Sequence, residues 1–72
     1  MNSAKKRAEK TRRSDCRHAV DEINTIRGSL DEAYCHFNDT ADTDALDACI
    51  YEISALRSRY NTALKHYRQK FI

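Results

Sequence analysis

The sequence predicts an all-α fold, an antiparallel hairpin of two helices that self-associates into a bundle. The chain has 72 residues with no proline, one glycine and one third charged side chains, a composition that favours helices with solvated faces over sheets. Apolar residues recur at helical spacing in two long stretches, one on either side of a single turn-like cluster. So short a chain buries little surface alone, which favours association.

The clearest pattern lies in the second predicted helix, from residue 43 to about residue 70. Its apolar residues alternate steps of three and four, which is a heptad seam. The seam consists of Leu46, Cys49, Ile53, Leu56, Tyr60, Ala63 and Tyr67. A second row runs beside it, interrupted by Arg57, and consists of Ile50, Leu64 and Phe71. A stripe of this width indicates a helix covered by more than one neighbour.

The first helix is predicted from about residue 15 to residue 38. Its apolar residues keep helical spacing on one face. They are Cys16, Val20, Ile23, Ile26, Leu30, Ala33, Tyr34 and Phe37. Gly28 lies off this stripe and costs about 1 kcal/mol relative to alanine, so we expect it at a tolerated surface position.

The N-terminal segment carries six basic side chains and one acid within residues 1–13, without apolar periodicity. We expect residues 1–14 to form a basic flexible tail or a frayed helical extension. Residues 15–72 then form the hairpin domain.

The turn is predicted at residues 38–42, with Asp42 as N-cap and Asp44 in the first turn of the second helix. A connection this short makes the helices antiparallel. We predict a register that sets Cys16 level with Tyr67 and Phe37 level with Leu46. The same register sets Val20 against Ala63, Ile23 against Tyr60, Arg27 against Leu56, Leu30 against Ile53, and Tyr34 against Cys49. We expect Arg27 to lay its stem on the core and turn its head toward Asp31.

The register also separates charge. Residues 31–52 carry seven acids and no lysine or arginine. The opposite end gathers the candidate phosphate-binding residues Lys5, Lys6, Arg7, Lys10, Arg12, Arg13, Arg17, Lys65, Arg68 and Lys70. Such a basic pole either contacts nucleic acid without sequence preference or only solubilises the chain.

Residues 37–52, FNDTADTDALDACIYE, followed by Arg59-Tyr60 and a basic end, resemble the YaaL-like family of short Gram-positive bacterial proteins of unknown function. The family pattern is F-N-x-x-x-D-P-x-L-I-D-x-x-I-Y with a later Arg-Tyr pair. This chain has Thr43 where the family often has proline, and Ala45-Leu46 where two large apolar residues are common. The resemblance covers about three quarters of the chain. It implies the hairpin and a cytoplasmic location, and no activity.

Catalytic and metal-binding patterns are absent from the sequence. The three cysteines form no C-x-x-C pair, and the three histidines show no ligand spacing. The aspartates at the turn have no mid-loop glycine for a calcium loop. No basic region is followed by an apolar run that would indicate a secretory signal, and no segment has the roughly 20 apolar residues needed to span a bilayer. We therefore predict a cytoplasmic, non-enzymatic chain without cofactor, metal or small-molecule substrate.

The predicted function is that of a small helical interaction or adaptor module acting through its apolar face, with a homodimer or another helical protein as partner. The charge poles favour a homodimer whose hairpins are turned end for end. The interface residues are Val20, Ile23, Leu30, Tyr34, Phe37, Leu46, Cys49, Ile50, Ile53, Leu56, Tyr60, Leu64, Tyr67 and Phe71. The alternative is a nucleic-acid-associated accessory protein that uses the basic pole. A minor alternative is a regulator of a phosphorylation pathway, although the S-x-x-L-D signature of the small sporulation phosphatases is absent.

Overall fold

The computed structural model describes residues 2–72 and contains two helices, α1 over Asn2–Asp39 and α2 over Thr43–Phe71. Within these residues there is no strand, and the molecule is a rod measuring 63 × 17 × 13 Å. The predicted all-α hairpin is confirmed. The bounds of α2 agree with the prediction to one residue at its C-terminus.

Helix α1 begins at Asn2, thirteen residues before the predicted start at Asp15. The segment is rich in alanine, lysine, arginine and glutamate, which are good helix formers, and it has no glycine or proline to stop the helix. An ion pair between Glu9 Oε1 and Arg13 Nη2, 3.2 Å apart, links successive turns. Of the two predicted states of the N-terminal segment, the structure shows the helical extension.

The connection between the helices is short, comprising residues 40–42, and Asp42 caps α2 as predicted. The Ala45 amide donates to Asp42 Oδ2 over 3.1 Å, and the Leu46 amide donates to the Asp42 carbonyl over 2.9 Å. Asp44 lies in the first turn, where its negative charge interacts favourably with the positive end of the helix dipole. The cap thus begins α2 immediately after the chain has reversed direction.

The buried core is narrow and lies between the two helices. Its most buried side chains are Ile26 and Ala33 from α1 and Cys49 and Leu56 from α2. The other predicted seam residues of α2 are half-buried, so the α2 seam is confirmed along its length. These half-buried residues are Leu46, Ile53, Tyr60, Ala63 and Tyr67.

On α1, the residues that face α2 differ from the predicted ones at alternate layers, where the preceding residue in the chain faces α2 instead. Val20, Arg27 and Tyr34, predicted to lie level with the α2 seam, are exposed. The seam instead uses Cys16, Ala19, Ile23, Ile26, Leu30, Ala33 and Phe37.

The reason is the position of Arg27. It shares one row with Val20 and Tyr34 at seven-residue spacing, so a rotation of α1 that buried those two residues would also carry Arg27 into the core. Desolvating a guanidinium without a partner costs more than leaving one valine and one tyrosine partly wet. Ile26 takes the layer beside Leu56 instead.

The predicted register is supported at the open end of the hairpin. The Sγ atom of Cys16 lies 3.9 Å from the hydroxyl of Tyr67, and Lys70 Nζ lies 3.7 Å from Asp15 Oδ2. At the seam, Ile26 and Ala33 are buried, and Arg27 and Tyr34, which the register had placed level with Leu56 and Cys49, are exposed.

Candidate interaction surfaces

One side of the hairpin, which we call the flank face, carries the apolar side chains that the seam does not use. On α1 it consists of Val20, Asn24, Arg27, Asp31 and Tyr34, and on α2 of Ile50, Ser54, Arg57, Asn61, Leu64 and Phe71. The two rows lie on the same side, because a groove of about 670 Å³ is lined by residues from both. These include Tyr34, Ile50, Ser54, Arg57 and Asn61.

The flank face leaves large apolar side chains in solvent. Val20 is 37% exposed, Tyr34 41% and Ile50 52%. Leu64 and Phe71 continue the row and are half-buried. Five apolar residues on one face of a small rod form a surface of the kind that another protein covers.

Two arginines interrupt this row at the middle of the rod, Arg27 on α1 and Arg57 on α2. Both are exposed. The ion pairs found within residues 2–72 are Glu9 with Arg13 and Asp15 with Lys70, so the expected contact between Arg27 and Asp31 is not formed. The centre of the flank face therefore carries two cations without a carboxylate partner among the described residues.

The opposite side of the hairpin also carries a shallow groove. It is lined by Glu22, Arg59, Thr62 and His66, with Ala19, Ile26 and Ala63 between them. None of these apolar residues is an exposed large side chain, whereas Val20, Tyr34 and Ile50 are, so the flank face is the better candidate for a protein contact.

The basic pole is built around a stretch of α1 without a partner helix. Because Cys16 lies level with Tyr67, helix α2 ends near the level of Arg12, and residues 2–11 project beyond it. We call these residues the basic overhang; at about 1.5 Å per residue it is about 15 Å long. Every residue of the overhang is exposed, including Lys5, Lys6, Arg7 and Lys10.

The remaining candidate phosphate-binding residues lie where the overhang meets the hairpin. Arg12, Arg13, Arg17, Lys65, Arg68 and Lys70 are all exposed. Arg13 and Lys70 are each paired with a carboxylate. The structure thus brings the predicted cations to one end of the rod, and the unpaired lysines concentrate on the overhang.

The contact between Cys16 and Tyr67 has an electrostatic consequence. The hydrogen bond to Cys16, then the charge of that sulfur and then partial desolvation raise the pKa of Tyr67 above its ordinary value. Each of these causes disfavours the negative charge of a phenolate at position 67, so the protonated phenol is favoured.

Within residues 2–72, no three histidine, cysteine or acidic side chains are grouped to hold a metal ion. In the same part of the chain, neither helix is sufficiently apolar over its length to span a membrane. Cys16, Cys35 and Cys49 are free thiols with different exposure, half-buried, exposed and buried respectively.

Sequence reasoning missed three of the seam positions as interface residues, namely Ala19, Ile26 and Ala33. A signal was present, because these residues complete an uninterrupted alternation of three- and four-residue steps from Cys16 to Phe37. The broader apolar stripe, with Val20 and Tyr34 beside it, obscured that narrower pattern.

Comparison with known proteins adds no relative, since no family model, curated protein or solved structure matches the chain. The resemblance to the YaaL-like family stays a prediction.

Proposed function

We propose that the protein is a non-enzymatic interaction module that binds a helical partner through its flank face. The observation that carries this proposal is the exposure of Val20, Tyr34 and Ile50 along one face of the hairpin, while the seam is already occupied by the other helix. A two-helix rod with open grooves lacks the enclosed concave site that small substrates need. Its exposed apolar row suits another helix.

Site-specific photo-crosslinking in living cells tests this function. A photoreactive side chain is introduced at Tyr34, on the flank face, and separately at Tyr51, which is 77% exposed and lies on the outer side of α2. We expect discrete covalent adducts from position 34, with a second copy or another protein, and none from position 51. Equal labelling at both positions, or none at position 34 in a folded chain, would contradict a flank-face module.

A second candidate function is non-specific nucleic-acid binding by the basic overhang. It is favoured by one observation, that Lys5, Lys6 and Lys10 are exposed on a stretch of α1 that extends beyond the end of α2. Such a helix presents charge to phosphates without being held in another contact.

Salt titration of binding to short duplex and single-stranded DNA tests this alternative. Replacing Lys5, Lys6 and Lys10 by glutamine should weaken binding and reduce the salt slope by about three. Replacing Lys65 by glutamine, at an exposed position off the overhang, is the control and should leave the slope nearly unchanged. Absence of binding at low salt would exclude this function.

We also propose that the protein acts in the cytoplasm. The three free thiols support this, since reducing compartments keep cysteines in that state. Fractionation of cells expressing the tagged chain tests it, and recovery outside the cytoplasmic fraction would contradict it.

A further inference from the structure

We propose that the flank face is covered by a second copy of this chain, turned end for end, with the two-fold axis at the level of Asn24 rather than at the centre of the hairpin near Arg27. This inference rests on the proposed interaction function and names its partner and register. In this arrangement α1 of one copy packs antiparallel on α1 of the other, and α2 packs on α2.

The basic overhang supports this axis. Residues 2–11 of α1 are helical and extend beyond the end of α2. An axis at Asn24 gives the basic overhang a surface to pack on. An axis at Arg27 would leave a longer part of the overhang without a neighbouring helix in the dimer.

The two central arginines also oppose an axis at the hairpin centre. There Arg27 would face its own copy, and Arg57 would face its own copy, which places four guanidinium groups in one layer of the bundle. Like charges brought together in an interface are strongly unfavourable. Moving the axis by three residues separates the two copies of Arg27 by about 9 Å and the two copies of Arg57 by about 6 Å along the helix.

The shifted axis replaces repulsion by complementary pairs. Arg17 becomes level with Asp31 of the second copy, and both side chains are exposed in one chain. Arg27 lies next to Val20 of the second copy, where its aliphatic stem covers the valine. Arg13 lies next to Tyr34 of the second copy, in reach of a cation–π contact with the ring.

The ends of the rod match in the same register. The overhang lysines Lys5, Lys6 and Lys10 come level with the turn of the second copy, which carries Asp39 and Asp42. Parallel rods would instead set the basic overhangs against each other. Exposed pairs of this kind add little affinity each but select orientation.

Cysteine cross-linking of the full chain tests the register. In a background of Cys16→Ser, Cys35→Ser and Cys49→Ala, a single Asn24→Cys lies opposite its own copy across the two-fold axis, within disulfide reach. Mild oxidation should convert most of the protein to a covalent dimer of twice the 8.4 kDa chain mass. The matched control, Thr25→Cys, lies at the same level on a different side of α1 and should stay monomeric under denaturing conditions.

A third variant distinguishes the two axes. Arg27→Cys should cross-link poorly, because its two copies lie about 9 Å apart along the helix in the proposed register. Efficient cross-linking of Arg27→Cys with none at Asn24→Cys would overturn the register.

Sedimentation equilibrium completes the test. A monomeric mass at all concentrations, with full helicity, would overturn the homodimer. If photo-crosslinking at Tyr34 still captures another protein in that case, the flank face remains an interaction surface and only the homodimer is excluded. The two proposals can therefore be distinguished. Replacing Lys5, Lys6 and Lys10 by glutamine should weaken dimerisation about tenfold at low salt, and an unchanged dissociation constant would overturn the proposed pairing of the ends.

Discussion

At the residue scale, Leu56 shows how strongly this thin core depends on single side chains. It is 7% exposed and is one of four buried hydrophobic residues among those described. Leu56→Asp should therefore lower the free energy of unfolding by about 3 kcal/mol or more, because it leaves a cavity and buries a carboxylate without a partner. Urea denaturation followed by circular dichroism measures the loss. Ser58→Asp, at an exposed position on the same helix, is the matched control, and an equal loss in both variants would contradict the assigned seam.

The contact with Cys16 makes Tyr67 a source of pH-dependent stability. Its pKa is raised by the hydrogen bond to Cys16 and by the charge of that sulfur. The folded state thus holds the phenolic proton more tightly than the unfolded state, whose pKa is about 10. Stability should be unaffected by this group below that pH and should fall as the pH rises through the raised value.

The test of this prediction is an NMR titration of the assigned Tyr67 ring. Cys16→Ser should return the midpoint toward the ordinary tyrosine value, because a hydroxyl stays neutral in that pH range. An unchanged Tyr67 midpoint in the variant would show that Cys16 does not cause the shift.

At the element scale, the start of α2 depends on one side chain. Asp42 accepts a hydrogen bond from the Ala45 amide, so Asp42→Ala should lower the free energy of unfolding by about 1 kcal/mol. Asp42→Asn keeps an acceptor at the cap and should lose only a few tenths of a kcal/mol. Thermal unfolding of both variants is the measurement, and equal losses would assign the effect to charge rather than to capping.

Helix α1 carries its one glycine in open space. A Cβ atom built at Gly28 meets nothing within 4 Å, so the residue contributes only its helix-disfavouring backbone entropy. Gly28→Ala should raise the free energy of unfolding by about 1 kcal/mol. Gly28→Ser should give a smaller gain, because serine is a weaker helix former. Chemical denaturation measures both, and a loss of stability in the alanine variant would indicate a neighbour at this position, such as a second chain.

At the scale of the whole molecule, a rod with four buried hydrophobic residues among those described is a poor candidate for a stable isolated unit. If a second copy covers the flank face, the midpoint of thermal unfolding must rise with protein concentration. We expect a rise of several degrees between about 5 and about 500 µM, since a change of this size in stability shifts the midpoint of a small domain by that much. A midpoint independent of concentration, measured by circular dichroism in cells of different path length, would contradict association on folding.

The sequence alone determined the helical hairpin, the bounds of α2, its cap at Asp42 and its seam. These features depend on local rules: alternating three- and four-residue spacing, a capping aspartate and a short turn that forces reversal. The register could also be predicted at its open end, where Cys16 meets Tyr67. Of the candidate sites, the basic pole could be predicted from the sequence. Its lysines and arginines lie either close together near the N-terminus or near the C-terminal end of α2.

Only the tertiary structure decided which side of α1 faces α2 and how far α1 extends. Its apolar stripe is wide enough for two rotations, and the sequence analysis predicted the one that lays the stem of Arg27 on the core. Packing against Leu56 selected Ile26 instead, and this choice left Val20 and Tyr34 on the flank face. Helix propensity permitted both a tail and a helix for residues 2–14. The flank face exists because desolvating a guanidinium costs more than exposing two apolar side chains.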